Sequence, residues 1–268
     1  MGIPEAAQAL VLGAVQGITE FLPISSTAHL LLVTQWLGWT SLGQKYYVDA
    51  IQFGSVIAVI FYFWKDIHHI VVGGWQGLRD RDPQRVEVKM LVGIILGTLP
   101  ALIVGYLVKD YLPDQSWVIA IMQVIMALFL AGAERWGSRK RDLEQITIRD
   151  GLWVGVGQTI ALLPGASRSG CTLTTALFLG LDRSAAARFS FLLGIPTLTI
   201  ATLYQSRQAF GSIDDLLLLL TGVVSAFVFS YAAIAWLLKF LQHASTRGFI
   251  VYRLLLGVGI LASLGLSR

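Results

Sequence analysis

Charge is what this chain has least of. Only 13% of its 268 residues are Asp, Glu, Lys or Arg, against about 25% in soluble domains. Hydrophobic residues make up 55%, and the mean hydropathy is +0.69. That balance excludes a water-soluble globular fold and indicates an integral membrane protein. Cysteine is nearly absent: Cys171 stands alone, which excludes an intramolecular disulfide, and a single thiol among apolar residues is expected to pack rather than react. Histidine is scarce too. His68 and His69 adjoin in one charged stretch and His243 lies in another, so no zinc-type ligand spacing is present. Met1-Gly-Ile-Pro-Glu5 lacks the basic start of a cleaved signal peptide, so the first apolar segment is expected to remain in the mature protein.

Uncharged runs long enough to cross about 30 Å of hydrocarbon occupy 90–108, 115–133 and 216–238. Adequate spans lie near 46–64, 184–205 and 248–267. The expected fold is therefore an all-α integral membrane protein with six transmembrane helices. Two further apolar stretches, 4–38 and 149–181, are broken centrally by Pro and hydroxyl residues. Their arms, about 12 to 18 residues at 1.5 Å each, mostly fall short of the bilayer. Both read as re-entrant helical hairpins. Irregular backbone at membrane depth survives only inside protein or beside a watery cavity, so the two tips are expected to face each other within the bundle. The alternative is two ordinary helix pairs with surface loops.

The interruptions match. Gly13-Ala-Val-Gln16 with Phe21-Leu-Pro23 resembles Gly155-Val-Gly-Gln158 with Leu162-Leu-Pro164 if one residue is gapped. Ser26 then pairs with Ser167, Thr27 with Arg168, and Gly38 with Gly180. Broken hydrophobic segments at corresponding places point to two repeats with a site near the bilayer midplane. The boundary is expected near residue 140: residues 1–140 and 141–268 each hold one hairpin and three crossings. An odd number of crossings makes the second repeat inverted. Most Lys and Arg residues fall in expected loops near 65–89, 135–149, 182–188 and 239–248. If these share one side, the other holds only Lys45, Lys109, Arg207 and Arg268. The basic set then marks the cytoplasm, with both termini outside. The net charge of +4 follows from such loops beside anionic lipid, and no nucleic-acid partner is needed to explain it.

The intramembrane polar residues carry the chemistry. Glu20 lies one turn after Gln16, so both share a helix face just before Pro23. A carboxylate at a helix C-terminus is opposed by the dipole and costly at membrane depth, so it calls for a cation or a proton. Gln16 alone reads equally as interhelical glue. Ser25, Ser26 and Thr27 follow the break, and any of them can cap the next helix. A helix start lined with hydroxyls suits phosphate. Ser26 and His29, three apart on a helix, can form a nucleophile and base. In the second tip Gly165 allows close backbone approach, Ser167 and Ser169 offer hydroxyls before Gly170, and Arg168 supplies a planar fork for two phosphate oxygens. Arg168 could equally be the counter-charge of Glu20.

Gln16-Gly-Ile-Thr-Glu20-Phe-Leu-Pro-Ile-Ser-Ser-Thr-Ala-His29 and Pro164-Gly-Ala-Ser-Arg-Ser-Gly170 resemble the two signature motifs of the bacterial undecaprenyl-pyrophosphate phosphatases of the bacitracin-resistance type. The resemblance extends to Phe53-Gly-Ser55 and Phe189-Ser-Phe-Leu-Leu193. It implies an inner-membrane hydrolase that removes the terminal phosphate of a polyprenyl diphosphate, giving the monophosphate carrier for wall-polymer synthesis, with a divalent cation, Mg²⁺ or Ca²⁺. It marks Glu20, Ser26, His29 and Arg168 as central, and Gln16, Ser25, Thr27, Ser167 and Ser169 as supporting. The first motif position, acidic in many members, is Gln16 here, leaving one carboxylate for the metal. In the expected mechanism Glu20 with Gln16 holds the cation, Ser26 attacks or positions water, His29 handles the proton, and Arg168 neutralises the phosphoryl charge. Expected partners are the diphosphate lipid, membrane lipids and, as one assembly to look for, a homodimer. A transporter or flippase is the alternative, because inverted repeats with midplane helix ends are typical of that class. A phosphatidic-acid type of phosphatase would want a second motif histidine, and only His29 lies near a tip.

The topology has a direct check. In a Cys171→Ala background, cysteines at Ser138 and Arg81 should be shielded from impermeant thiol reagents in intact cells, whereas cysteines at Gly43 or Asp114 should label; external labelling of Ser138 would overturn the orientation.

Overall fold

The apolar runs form helices. The structure, a computed structural model, describes residues 3–39, 45–113, 115–206 and 215–266; Gly43, Asp114, Arg207 and Arg268 lie outside them. In chain order the helices are α1 (Glu5–Phe21), α2 (Ser26–Trp36), α3 (Lys45–Tyr62), α4 (Trp64–Arg79), α5 (Val86–Val108), α6 (Ser116–Trp136), α7 (Ile148–Gln158), α8 (Arg168–Phe178), α9 (Arg183–Ser206), α10 (Leu216–His243) and α11 (Arg247–Leu266). No strand occurs among the described residues, only an isolated bridge between Arg141 and Leu181. Among the described residues five helices are long and apolar enough to cross a bilayer: α5 with its 3₁₀ extension to Tyr111, α6, α9, α10 and α11. A sixth span arises if α3 and α4, bent by 62°, count as one.

One expectation is corrected here. The charged stretch beginning at residue 65 is not a loop but opens with α4. Its buried positions, Ile70, Gly73, Gly74 and Gly77, recur at helical spacing, while Lys65, His68 and Arg79 are exposed. Charge density suggested a loop; the period of the buried positions decides for a helix. Small residues let α4 lie close to Glu87, Val88 and Leu91 at the start of α5. Trp64 and Trp75 stay exposed.

Apolar attraction between helices is weak in lipid, so close packing relies on small side chains. Gly13 and Gly17 of α1 press on Gly222, Ala226 and Ser230 of α10. Gly151 and Gly155 of α7 press in the same way on Gly93 and Gly97 of α5. Further pairs are α3 with α9 and with α10, and α6 with α11. An aromatic layer of Phe21, Phe63 and Phe191 fills the centre, with Phe21 edge-on to Phe191 at 5.5 Å.

The basic stretches gather at one end of the bundle. Glu134, closing α6, binds Arg139, Arg183 and the Thr246 hydroxyl, the last at 2.8 Å. Arg188 pairs with Asp66. These contacts join all four stretches that positional counting put on one side. Asp150 opens α7 with a reciprocal cap to Thr147 and an ion pair to Arg141. Burial pushes its carboxyl up, but the bonds from Arg141 and Thr147 outweigh this and hold it below the usual carboxylate range.

The α5/α7 contact leaves no room for a side chain: a Cβ on Gly155 would fall 2.1 Å from the Gly97 carbonyl oxygen. Gly155→Val should destabilise the protein by about 3 kcal/mol through overpacking, read as a drop in melting temperature in detergent. An unchanged melting temperature would show that this contact does not hold α7 in place.

Candidate active site

Each tip is a chain reversal that begins a new helix. After α1 the backbone is extended at Leu22, passes Pro23 and reaches Ser25 at φ 76°. The Ser25 hydroxyl accepts from the Ala28 N–H at 3.4 Å. The second tip does the same at Ser167, φ 72°, whose hydroxyl accepts from the Gly170 N–H at 3.2 Å. Positive φ is strained for serine, and two such N-caps are an uncommon shared feature. They also correct the pairing made from sequence. Ser25, not Ser26, matches Ser167, both sitting 142 positions apart as do Gln16 and Gln158, and Gly38 and Gly180. Only the prolines slip by one. Thus Ser26 corresponds to Arg168, each being the first residue of its helix.

Those two residues meet on Glu20, which is 8% exposed at the end of α1. The Ser26 hydroxyl donates to Glu20 Oε2 at 2.8 Å. Arg168 Nη2 donates to Oε1 at 3.1 Å. The Gln16 amide donates to Oε2 at 3.2 Å. Ser169 secures the backbone beneath, its hydroxyl 3.2 Å from Glu20 O and 3.0 Å from Leu22 O, and it lies 3.2 Å from the Ser167 hydroxyl. The Arg168 guanidinium rests over the Phe21 ring at 5.9 Å and against Gly194, where a Cβ would fall 1.9 Å from Nη1. Its Nε is buried without a hydrogen-bond partner among the described residues, so the fork retains donor capacity.

His29 stands apart from Ser26. Its Nδ1 lies 2.7 Å from the Ser25 carbonyl; a carbonyl only accepts, so that nitrogen carries the proton. Nε2 faces the Tyr252 hydroxyl at 2.5 Å, with the two rings stacked. The expected serine–histidine hydrogen bond is therefore not formed, and the group within reach of the Ser26 proton is Glu20. Thr27 is exposed on the first turn of α2. Gly165, at φ 89°, passes the Ile119 carbonyl so closely that a Cβ would meet it at 2.5 Å.

Three neighbours escaped the sequence reading. Tyr252 holds His29, Gln123 donates to the Ile24 carbonyl at 2.8 Å, and Arg253 binds backbone carbonyls of both tips. Only Arg253 left a trace in sequence, as a charge inside an apolar segment.

The donor set also bears on a metal. No group of three His, Cys, Asp or Glu side chains that could hold one exists among the described residues. One carboxylate, an amide and a hydroxyl suit a hard cation that draws its other ligands from phosphate and water, as Mg²⁺ does.

Residues 9–259 match the family described as "Bacitracin resistance protein BacA". The "Undecaprenyl-diphosphatase" of Thermosynechococcus vestitus is 58% identical over 262 residues, covering 97% of this chain and 96% of the relative. That of Synechococcus sp. (strain JA-3-3Ab) is 51% identical over 267 residues, covering 98% and 95%. A third, from Trichodesmium erythraeum, is 48% identical over 265 residues, covering 95% and 84%. With the match spanning both tips and the helices between them, the chain belongs to the bacitracin resistance protein BacA family.

Proposed function

We propose that the protein is a membrane phosphatase that removes the terminal phosphate of undecaprenyl diphosphate. One observation carries the residue assignment: a hydroxyl from one tip and a guanidinium from the other meet on a single buried carboxylate. The names of the relatives support the substrate. The product would be the monophosphate carrier for wall-polymer synthesis, and its regeneration would confer bacitracin resistance.

Ser26 is the nucleophile: its oxygen bonds to the terminal phosphorus as the bond to the bridging oxygen breaks, the polyprenyl monophosphate leaves with that oxygen, and water then hydrolyses the phosphoserine to release inorganic phosphate. The Ser26 proton goes to Glu20 Oε2, at a distance suited to general-base transfer. Arg168 exchanges Glu20 for the phosphoryl oxygens, offering the unpaired Nε and a terminal nitrogen as a fork. The N–H groups opening α2 and α8 add positive potential there. Ser25 and Ser167 cap those helices, Ser169 and Gln16 orient Glu20, and Thr27 and His29 follow Ser26 at the start of α2. Glu20 and Gln16 would hold a divalent cation, Mg²⁺ or Ca²⁺, whose contribution is to neutralise charge on the diphosphate.

The architecture belongs to the same reading. Residues 1–140 and 141–268 are two inverted repeats, each with a re-entrant hairpin. Support comes from the recurring 142-residue offset, from helix arms of 11 residues in α2, α7 and α8, only about 16 Å long, and from packing that exchanges the halves: α1 lies on α10 as α7 lies on α5. The protein spans the bacterial inner membrane with both termini outside, and its cavity opens outward.

Ser26→Ala should abolish most phosphate release in detergent while the protein stays folded, because it removes one hydroxyl and little volume; Ser25→Ala should be milder, costing about 1 kcal/mol of capping. Near wild-type turnover by Ser26→Ala would sink the nucleophile assignment. Transport of lipid without phosphate release by the wild type would favour a flippase instead. Chelation should silence the wild type, and Glu20→Gln should no longer respond to added divalent ion. Full activity in excess EDTA would remove metal from the mechanism.

Arg168→Lys keeps the charge but loses the fork, so activity should fall by orders of magnitude with little change in melting temperature. If Arg168 only balances Glu20, lysine should serve, and Arg168→Ala should cost roughly 3 to 5 kcal/mol through the stranded carboxylate. Phosphate release and melting temperature on both variants separate the two.

A further inference from the structure

Among the described residues Arg253 is the most deeply buried charge, 1% exposed within the apolar helix α11. A buried guanidinium normally finds a carboxylate. Here its four hydrogen-bond acceptors are all backbone carbonyls. Nη1 donates to Pro23 O at 2.9 Å. Nη2 donates to Gly165 O and Ala166 O, both at 3.0 Å. Nε reaches Gln123 O at 3.4 Å.

The choice of carbonyls is not arbitrary. Pro23 and Gly165 are 142 positions apart, the offset that superposes the two caps. Each stands two residues before a serine at positive φ. A strained backbone persists only where its surroundings over-determine it. One guanidinium, with donors in a rigid plane, fixes the direction in which both peptides enter their caps. Those caps place Ser26 and Arg168. Gln123 reinforces the first tip through Ile24 O and, by its own carbonyl, the guanidinium.

We propose that Arg253, supported by Gln123, is a positioning residue that sets the two tips in register, so that the Ser26 hydroxyl and the Arg168 fork converge on one phosphoryl group. It acts through backbone carbonyls and touches no reacting atom. The catalytic part of this inference rests on the phosphatase reading above; the register part does not.

The test uses the full-length protein in detergent, with phosphate release from a polyprenyl diphosphate and amide hydrogen exchange over segments 23–30 and 164–171. Arg253→Lys keeps a cation, but one ammonium has no fork to span both tips. It should lower kcat by about a hundredfold, the cost of a misplacement near 1 Å, with KM near wild type. Exchange should rise at both tips together and not in α5 or α10. Gln123→Leu removes only the amide held on Ile24 O; it serves as the second variant should the first fail to fold, and should lower kcat about tenfold, again without a KM change. Wild-type kcat in the folded variants, a loss matching only the unfolded fraction, or exchange confined to regions outside the tips would overturn the proposal. A wild type that releases no phosphate would refute the phosphatase reading instead, and the exchange result would still decide whether Arg253 sets the register.

Discussion

A buried carboxylate cannot be left without donors, and the site is organised around that constraint. Glu20 is 8% exposed and ends a helix whose dipole opposes it. Its stability there depends on donors from three places: Gln16 one turn back, Ser26 across the first break, and Arg168 from the other half of the chain. These are also the groups a phosphoryl transfer would use. The resting site thus holds its cation against an internal anion, which a diphosphate can replace with more charge and more acceptors.

Breaking a buried helix frees backbone groups that apolar surroundings will not solvate. Both tips answer this with the same parts. A serine hydroxyl caps the new helix, Ser169 gathers the carbonyls at the end of α1, and Arg253 takes the carbonyls leading into the caps. The two strained serines are tolerated because their neighbours are fixed on every side. Rigid placement follows from the solution to a solvation problem.

Small residues let the broken segments be held at all. Short arms such as α7 bury little surface alone, and the facing glycines of α5 and α7 bring backbones into direct contact. The shortness of α7 and the glycines that face it on α5 are therefore linked. At the other end, Glu134 and Asp66 neutralise arginines from separate stretches and draw them into one polar layer.

Composition, run length and the two broken motifs were enough to establish a polytopic helical membrane protein and to single out Glu20, Ser26 and Arg168, because hydrocarbon penalises charge and irregular backbone so heavily that such residues need a reason to be there. Sequence could not tell which hydroxyl caps the helix and which meets Glu20, since Ser25 and Ser26 are adjacent and chemically identical; the backbone angle at Ser25 and the two hydrogen bonds decide it. Nor could it assign His29, three residues from Ser26 yet turned to Ser25 and Tyr252. α4 was hidden because its charges resemble those of a loop until its buried face is seen. Arg253, Gln123 and Tyr252 come from helices remote in sequence, and a side chain that binds backbone carbonyls leaves no pattern in the residues it binds. Local chemistry is written in order along the chain; convergence across 100 residues or more is decided only when the helices pack.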